Sequence, residues 1–121
     1  MNDEKMKSYS CSVEAVMDII GGKYKAIILW HLIKNEKLRF GEIQKLIPKA
    51  TPKMLSNQLK ELEASGIIVR VLYPVVPPKT EYFLSELGKT LIPIITYLRD
   101  WGNNYFEFMN VPNPCTTEKT E

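Results

Sequence analysis

The segment from Ala50 to Gly66 constrains the fold of this chain most strongly, because it predicts a helix with both ends marked. Thr51 can cap the amino end by accepting a hydrogen bond from a free backbone N–H, and Pro52 suits the first helical position. Gly66 suits the left-handed residue that ends many helices. The apolar side chains that share one face at helical spacing are Met54, Leu55, Leu59 and Leu62. We therefore predict an amphipathic helix over residues 52–65.

The opposite face of this helix is polar and carries hydrogen-bond donors. Its side chains are Lys53, Ser56, Asn57 and Lys60, and no acid occurs before residue 61. Such a helix is about 21 Å long at about 1.5 Å per residue. Its first turns fit a DNA major groove, which is about 12 Å wide. A major-groove helix is one interpretation of this face, and an ordinary solvated surface is the other.

The polar side chains differ in what they can contact on DNA. Asn57 is the best candidate to read a base, because its amide can pair bidentately with adenine. Ser56 is also predicted to reach base edges, while Lys53 and Lys60 are predicted to contact phosphates or guanines. The residues that we assign to contacts with the DNA backbone are Arg39, Lys49, Arg70 and Lys79.

The distribution of charge favours a polyanionic partner. The formal net charge of +2 is divided into 0 over residues 1–33, +5 over residues 34–79 and −3 over residues 80–121. The basic middle segment contains the predicted amphipathic helix and therefore points to a partner such as nucleic acid. A chance asymmetry on a solvated surface is the alternative.

The elements around this helix predict a winged helix-turn-helix. Earlier helices are predicted over residues 13–20, 23–35 and 41–47. The third is joined to the amphipathic helix by a short turn, as in a helix-turn-helix. Residues 67–73 are rich in β-branched side chains and predict a strand, and residues 79–84 predict its return strand. The three prolines of residues 74–78 predict the connecting loop.

A long last helix is predicted to follow, with Ser85 as its cap and a kink or break at Pro93. Its apolar face is longer than the core of so small a domain needs. We interpret the surplus, together with the first helix, as a dimer interface. The predicted dimerisation residues are Val13, Val16, Met17, Ile94, Ile95, Leu98, Trp101 and Tyr105.

These elements predict the class α+β, mainly α: a winged helix-turn-helix with a two- to three-stranded antiparallel wing and a long C-terminal dimerisation helix. The predicted organisation is a flexible amino terminus over residues 1–10, one domain over residues 11–110 and a disordered tail over residues 111–121. The sequence has no apolar run of about 18 residues and no signal peptide, so we predict a cytoplasmic protein that does not associate with membranes.

Catalysis and metal binding are disfavoured by the residues available. Cys11 and Cys115 lie near opposite ends of the chain and are predicted to be free thiols, without a CxxC pair or a general base at a matching spacing. His31 is the only histidine and cannot form a zinc site alone. We predict no enzymatic activity, no cofactor and no metal.

The sequence resembles the HxlR-type bacterial transcriptional regulators, a branch of the MarR-like winged-helix proteins, over residues 11–102. The motifs that carry the resemblance are Cys11 with Val13-Glu14, Ile20-Gly21-Gly22-Lys23-Tyr24-Lys25, Arg39-Phe40 with Glu42-Ile43, Leu55 to Leu62, Ser65-Gly66-Ile67 with Arg70, Val76-Pro77-Pro78-Lys79-Thr80-Glu81-Tyr82, Leu84-Ser85-Glu86-Leu87-Gly88 and Trp101-Gly102. Tyr24 replaces the usual Trp, and Ser85 replaces the usual Thr.

The resemblance implies a homodimer that binds a palindromic operator in double-stranded DNA, with the first and last helices pairing the subunits. It also implies that the helix of residues 52–65 enters the major groove and that the wing contacts the backbone or the minor groove. Some family members carry a reactive cysteine at the position of Cys11 and respond to electrophiles or oxidants. A small apolar residue at a subunit contact is the other interpretation of Cys11, and a winged-helix module that binds another protein is the alternative function.

Overall fold

The computed structural model describes residue 6 and residues 8–114. In chain order the elements are α1 (Ser12–Ile20), α2 (Lys25–Lys34), β1 (Leu38–Arg39), α3 (Phe40–Leu46), α4 (Pro52–Ala64), β2 (Ile68–Tyr73), β3 (Lys79–Leu84), α5 (Glu86–Lys89) and α6 (Ile92–Phe108). Cys115, most of the predicted tail and part of the predicted flexible amino terminus lie outside the described residues. The predicted division into terminus, domain and tail therefore stays a prediction.

Helix α4 begins and ends as the local sequence signals predict. The Thr51 hydroxyl accepts a hydrogen bond from the Met54 backbone N–H at 3.1 Å, and Pro52 occupies the first turn. Gly66 follows the helix with a φ of +79°, a backbone conformation that residues with a Cβ atom rarely adopt. The cap, the proline and the glycine thus fix the length of α4 by local chemistry alone.

The three strands form an antiparallel sheet in the order β1-β3-β2. Strands β2 and β3 pair along their whole length, from Ile68 opposite Leu84 to Tyr73 opposite Lys79. The two-residue β1 adds a third strand through Leu38, which lies opposite Tyr82. Helices α3 and α4 followed by this hairpin confirm the predicted winged helix-turn-helix fold, α+β and mainly α.

The core is built where α2, α3 and α4 meet the inner face of the sheet. The largest fully buried side chains are Ile28, Leu29, Leu32, Ile43, Leu55, Leu59 and Leu62. Each such side chain contributes about 1.5–3 kcal/mol relative to leaving it exposed. Tyr82 and Leu84 of β3 close the core from the sheet side. The apolar face predicted for α4 is therefore the face that is buried.

The last helical segment is broken, as predicted, but the break falls before Pro93 and leaves two helices of very different length. Ser85 does form a cap, and its hydroxyl accepts the Gly88 backbone N–H at 2.9 Å, but the helix it caps is only the four-residue α5. The long helix α6 begins at Ile92, which places Pro93 in its first turn. A proline costs little there, because the N–H groups of the first turn have no partner within the helix. The predicted break is thus observed ahead of Pro93.

Helix α5 is held close to the start of the wing. A Cβ atom at Gly88 would lie 2.1 Å from the backbone oxygen of Ile67, so only glycine permits this approach. The Ser85 hydroxyl also donates to the Gly66 carbonyl at 2.6 Å. These contacts fix the position of α5 and therefore the place at which α6 begins. Neither α6 nor any other helix in the described part of the chain is long and apolar enough to cross a membrane.

Candidate nucleic-acid interface

The outward face of α4 presents the polar side chains that the sequence predicts there. Lys53, Asn57 and Lys60 are exposed, while Ser56 is half-buried. On the opposite side, Leu55, Leu59 and Leu62 pack into the core and hold the helix in place. Because the apolar side is fully used, α4 can offer only its polar face to a partner.

Gln58 lies among these polar residues in sequence but turns toward the protein. Its side-chain oxygen accepts a hydrogen bond from the Tyr24 backbone N–H at 3.0 Å. The side chain lies against Gly22, where a Cβ would approach Gln58 Oε1 to 2.7 Å. The role of Gln58 could not be predicted from the sequence, because helical spacing does not reveal a hydrogen-bond partner 34 positions away.

The acidic residues of α4 are paired with cations of the same chain. Glu61 forms an ion pair with Lys25, with 2.7 Å between Oε1 and Nζ, and the Lys25 side chain is only 7% exposed. Glu63 pairs with Arg70 of β2, with 3.4 Å between Oε1 and Nε. Among the described residues, Lys53 and Lys60 have no carboxylate within ion-pair distance. The outward face of α4 is therefore positive.

The turn between α3 and α4 is fixed by side chains from two directions. The Gln44 side-chain amide donates to the Ala50 carbonyl at 2.6 Å. The Tyr24 hydroxyl donates to the Lys49 carbonyl at 3.3 Å. Lys49 itself is exposed, so its backbone is held while its ammonium group is free to reach solvent or a partner. This arrangement suits a phosphate contact at a defined place.

The other residues assigned to the DNA backbone lie on the sheet. Arg39 is exposed at the end of β1, where its backbone N–H donates to the Glu42 carboxylate at 2.8 Å. Lys79 begins β3 and lies over the Tyr73 ring, with 4.9 Å between Nζ and the ring centroid. Arg70 forms an ion pair with Glu63, which makes its guanidinium less available for a phosphate than the side chains of Arg39 and Lys79.

The tip of the wing carries no charge. Residues 71–78 contain neither a basic nor an acidic side chain, and Val76 is 99% exposed. Since minor-groove contacts in many proteins use inserted cations, a tip of this composition is limited to apolar and backbone contacts. Any charged contact by the wing's basic residues would therefore come from Lys79, which lies opposite Tyr73 where β3 leaves the tip loop, or from Arg70 in the middle of β2.

A second outward surface is apolar and lies on α1 and α6. Its exposed members from the sequence prediction are Val13, Met17, Ile94, Leu98, Trp101 and Tyr105. The Trp101 and Tyr105 rings stack with their centroids 5.5 Å apart. Tyr97 and Phe108 are also exposed and were not among the predicted dimerisation residues, although the aromatic content of α6 was a signal for them.

Two predicted dimerisation residues lie elsewhere. Ile95 is 3% exposed and packs into the core of its own subunit, where α6 lies against α2. Val16 is half-buried and packs against the same core. Both residues were predicted because each lies at helical spacing from other apolar residues of its own helix. The side of α6 that bears Ile95, however, is covered by α2. We therefore remove Ile95 from the proposed interface and give Val16 a minor part.

Cys11 is an exposed free cysteine at the amino end of α1, and its side chain makes no capping hydrogen bond. Glu14 lies one turn further on, and its carboxylate accepts the Ser10 backbone N–H at 2.6 Å. This bond, the Ser10 hydroxyl and the Cys11 backbone N–H hold the pKa of Glu14 below its usual value. A thiol at this position is accessible and has a carboxylate in the adjoining turn.

Metal binding has no support in the geometry of residues 6 and 8–114. No three side chains among their histidine, cysteine, aspartate and glutamate residues are grouped so that they could hold an ion. The groups that the outward face of α4 exposes are the Lys53 and Lys60 ammonium groups and the Asn57 amide.

Three comparisons with known proteins agree with this geometry. The HxlR-like helix-turn-helix family model matches residues 19–110. The uncharacterized HTH-type transcriptional regulator YdeP of Bacillus subtilis (strain 168) is 55% identical over 95 residues, which cover 78% of this chain and 73% of that protein. The redox regulator HypR in its oxidized form is 48% identical, with a TM-score of 0.74 over 78% of this chain and 96% of that chain.

A more distant solved structure, the reduced form of the transcriptional regulator YodB from B. subtilis, is 31% identical with a TM-score of 0.67. It covers 80% of this chain and 95% of that one. The family match includes both helices of the helix-turn-helix, the wing and α6. From the fold, the site and these matches together, the chain belongs to the HxlR-like helix-turn-helix family of transcriptional regulators.

Proposed function

We propose that the protein binds double-stranded DNA as a homodimer and recognises a palindromic operator. The observation that carries the proposal is the outward face of α4, where Lys53 and Lys60 are unpaired within the described chain and the helix's acids are neutralised by Lys25 and Arg70. A face with this charge and with exposed amide and hydroxyl groups matches the phosphates and base edges of a major groove.

Within this proposal the residues divide by role. Asn57 reads a base through its amide, and the half-buried Ser56 reaches a base edge beside it. Lys53 and Lys60 contact phosphates or guanines at the two sides of the groove. Arg39, Lys49 and Lys79 contact the DNA backbone and hold the protein in register, because phosphate contacts position a protein without reading sequence. Arg70 has a smaller part, since it is shared with Glu63.

The proposed dimer uses the exposed apolar residues of α1 and α6. A monomer that leaves Trp101 68% and Tyr97 74% exposed presents an unusually aromatic surface to water. Such surfaces mark sites of association with other proteins. A two-fold dimer formed there places two copies of α4 on one side, and matching half-sites require them about 34 Å apart, one turn of DNA.

Fluorescence anisotropy with a labelled duplex, repeated over a range of salt concentrations, tests DNA binding directly. A protein that neutralises phosphates releases counterions, so affinity should fall steeply as salt rises. The Lys53→Ala/Lys60→Ala double variant should show a shallower dependence. A flat salt profile for the unmodified protein would argue against DNA as its partner.

The rival function is a winged-helix module that binds another protein through α6. Size-exclusion chromatography with light scattering, with and without duplex DNA, separates the two functions. The proposed regulator elutes as a dimer alone and shifts by the mass of one duplex when DNA is added. A monomer that ignores DNA would favour the protein-binding module.

We also propose that a small electrophile or oxidant acts on Cys11. Two observations support this second role: the thiol is exposed at the amino end of α1, and one solved relative is a redox regulator, HypR. Because α1 carries part of the proposed dimer surface, modification there would alter subunit pairing. The alternative is that Cys11 is only a small side chain at a subunit contact.

The two interpretations of Cys11 differ in one measurement. DNA affinity is compared before and after mild oxidant, with Cys11→Ser as the control. Sensing predicts a change in the unmodified protein and none in the variant. Equal affinity before and after treatment would remove the sensing role and leave DNA binding untouched.

A further inference from the structure

We infer that Lys25 and Gln58 are positioning residues of α4, the helix proposed to enter the major groove: the loop between α1 and α2, together with the first residue of α2, clamps the middle of α4 and fixes its position relative to α1. The inference rests on the proposed function, because it concerns how two copies of α4 are spaced on an operator. It assigns a role in DNA recognition to residues that point away from the DNA.

Three contacts form the clamp, and all join residues 22–25 to one turn of α4. Gln58 Oε1 accepts the Tyr24 backbone N–H at 3.0 Å. Lys25 Nζ lies 2.7 Å from Glu61 Oε1. Gly22 permits Gln58 to approach so closely that a Cβ there would lie 2.7 Å from its oxygen. Positions 58 and 61 are three apart and therefore neighbours on one helix face.

The ion pair between Lys25 and Glu61 makes the clamp favour one position of α4. The Lys25 side chain is 7% exposed, so its charge has lost most of its hydration and needs a partner. The Lys25 ammonium also donates to the Asp18 carbonyl in α1, at the long distance of 3.5 Å. The Glu61 side chain is itself 59% exposed, so the pair adds little stability, but any arrangement that separates the two side chains leaves the buried Lys25 charge unpaired. Sliding or rotating α4 would separate them.

The clamp is next to the residues that contact DNA. Asn57 directly precedes Gln58, and Lys60 directly precedes Glu61, so each clamped residue adjoins a proposed contact residue. On the other side, the clamping loop directly follows α1, which packs on α4 and carries part of the proposed dimer surface. The clamp therefore transmits the geometry of subunit pairing to α4 and sets which half-site spacing the dimer accepts.

The test measures spacing discrimination. A palindromic duplex is first selected from a random-sequence library with the unmodified protein. The affinity for this duplex is then divided by the affinity for versions with one base pair added or removed between the half-sites. Glu61→Gln should lower this ratio about threefold to tenfold, the range expected when coupled residues are separated.

Glu63→Gln is the matched control. It removes one negative charge from the same helix, two positions away, and breaks the pair with the 44% exposed Arg70 instead of the pair with the buried Lys25. Both variants share any general gain in DNA affinity from the lost acid. Only Glu61→Gln should change the spacing ratio, while Glu63→Gln keeps it within about twofold of the unmodified protein.

A second variant separates positioning from folding. Lys25→Met with Glu61→Met replaces the pair by apolar side chains of similar length, a change that folded proteins often tolerate. Its thermal unfolding temperature should stay near that of the unmodified protein while the spacing ratio falls as in Glu61→Gln. A folded double variant with an unchanged spacing ratio would overturn the inference alone. Failure of the unmodified protein to select any palindrome would instead overturn the proposed function, and the inference with it.

Discussion

Helices α4 and α6 both pack an apolar side against the core, but they differ in the face that they turn outward. Both are amphipathic and both bury side chains almost completely, with Leu59 at 1% and Ile95 at 3% exposure. The outward face of α4 carries exposed lysines and an amide, whereas the outward face of α6 carries Trp101 and other exposed aromatic side chains. The inner faces stabilise the fold. The outer faces are the surfaces that we propose contact DNA, for α4, and a second subunit, for α6.

The contrast shows how one small domain can present two kinds of interface. A polar face is stable in water without a partner, so α4 can remain exposed for the proposed contact with DNA. An exposed aromatic surface costs free energy in water and therefore favours association with another apolar surface. The proposed dimer would cover α6 permanently and leave α4 open.

The largest expected effect tests the similarity of the inner faces. Leu59→Ala and Ile95→Ala should each lower the free energy of unfolding by about 2–5 kcal/mol, because each leaves a cavity in a packed core. Chemical denaturation of both variants measures this loss. If Ile95→Ala instead left stability unchanged and weakened only dimerisation, Ile95 would belong to the outward surface of α6.

Breaking the outer face of α6 should have the next largest effect. Trp101→Ala should weaken dimerisation by about 2–4 kcal/mol per copy, since buried aromatic residues dominate many protein interfaces. Analytical ultracentrifugation over a range of protein concentrations measures the change. Leu72→Ala is the matched control, because Leu72 is an exposed apolar residue of the wing. An equal effect of both variants would mean that α6 has no special part in association.

The outline of α4 was predictable because its limits are set locally, whereas the start of α6 was not. Thr51, Pro52 and Gly66 each act on the backbone next to them, and the predicted ends of α4 agree with the structure. The signal at Ser85 was equally local, and it correctly predicted a helix start but not the length of that helix. A cap determines where a helix begins and contains no information about where the next break falls.

The contacts that position α4 were not predictable, because their partners are distant in sequence. From the sequence, Gln58 is one more polar residue of α4, but in the structure it accepts a hydrogen bond from Tyr24. Glu61 likewise has no partner visible in the sequence, but in the structure it pairs with Lys25. Periodicity tells which face a residue occupies and not which loop packs against that face. The DNA contact residues were chosen by type and face alone, and their roles stay predictions.

On α4, the base-reading role of Asn57 has a distinctive signature. Asn57→Ala should lose about 1–3 kcal/mol of binding free energy at the cognate duplex, because a bidentate amide contact discriminates between bases by that amount. On random-sequence duplex the loss should be absent. Anisotropy titrations with both duplexes give the comparison. An equal loss on both would make Asn57 a residue that positions the DNA instead of reading it.

The smallest expected effect is that of a single lysine on the same face. Lys60→Ala should weaken binding by a similar factor on every sequence and reduce the slope of log affinity against log salt by about 1, as expected for one lost phosphate contact. Lys89→Ala is the control, because that ammonium already has the Glu86 carboxylate at 3.0 Å. Both variants lose one positive charge, so a general effect of net charge would change both slopes alike. A change confined to Lys60→Ala would instead show that the outward face of α4 meets the phosphates, which is the property that distinguishes it from the aromatic face of α6.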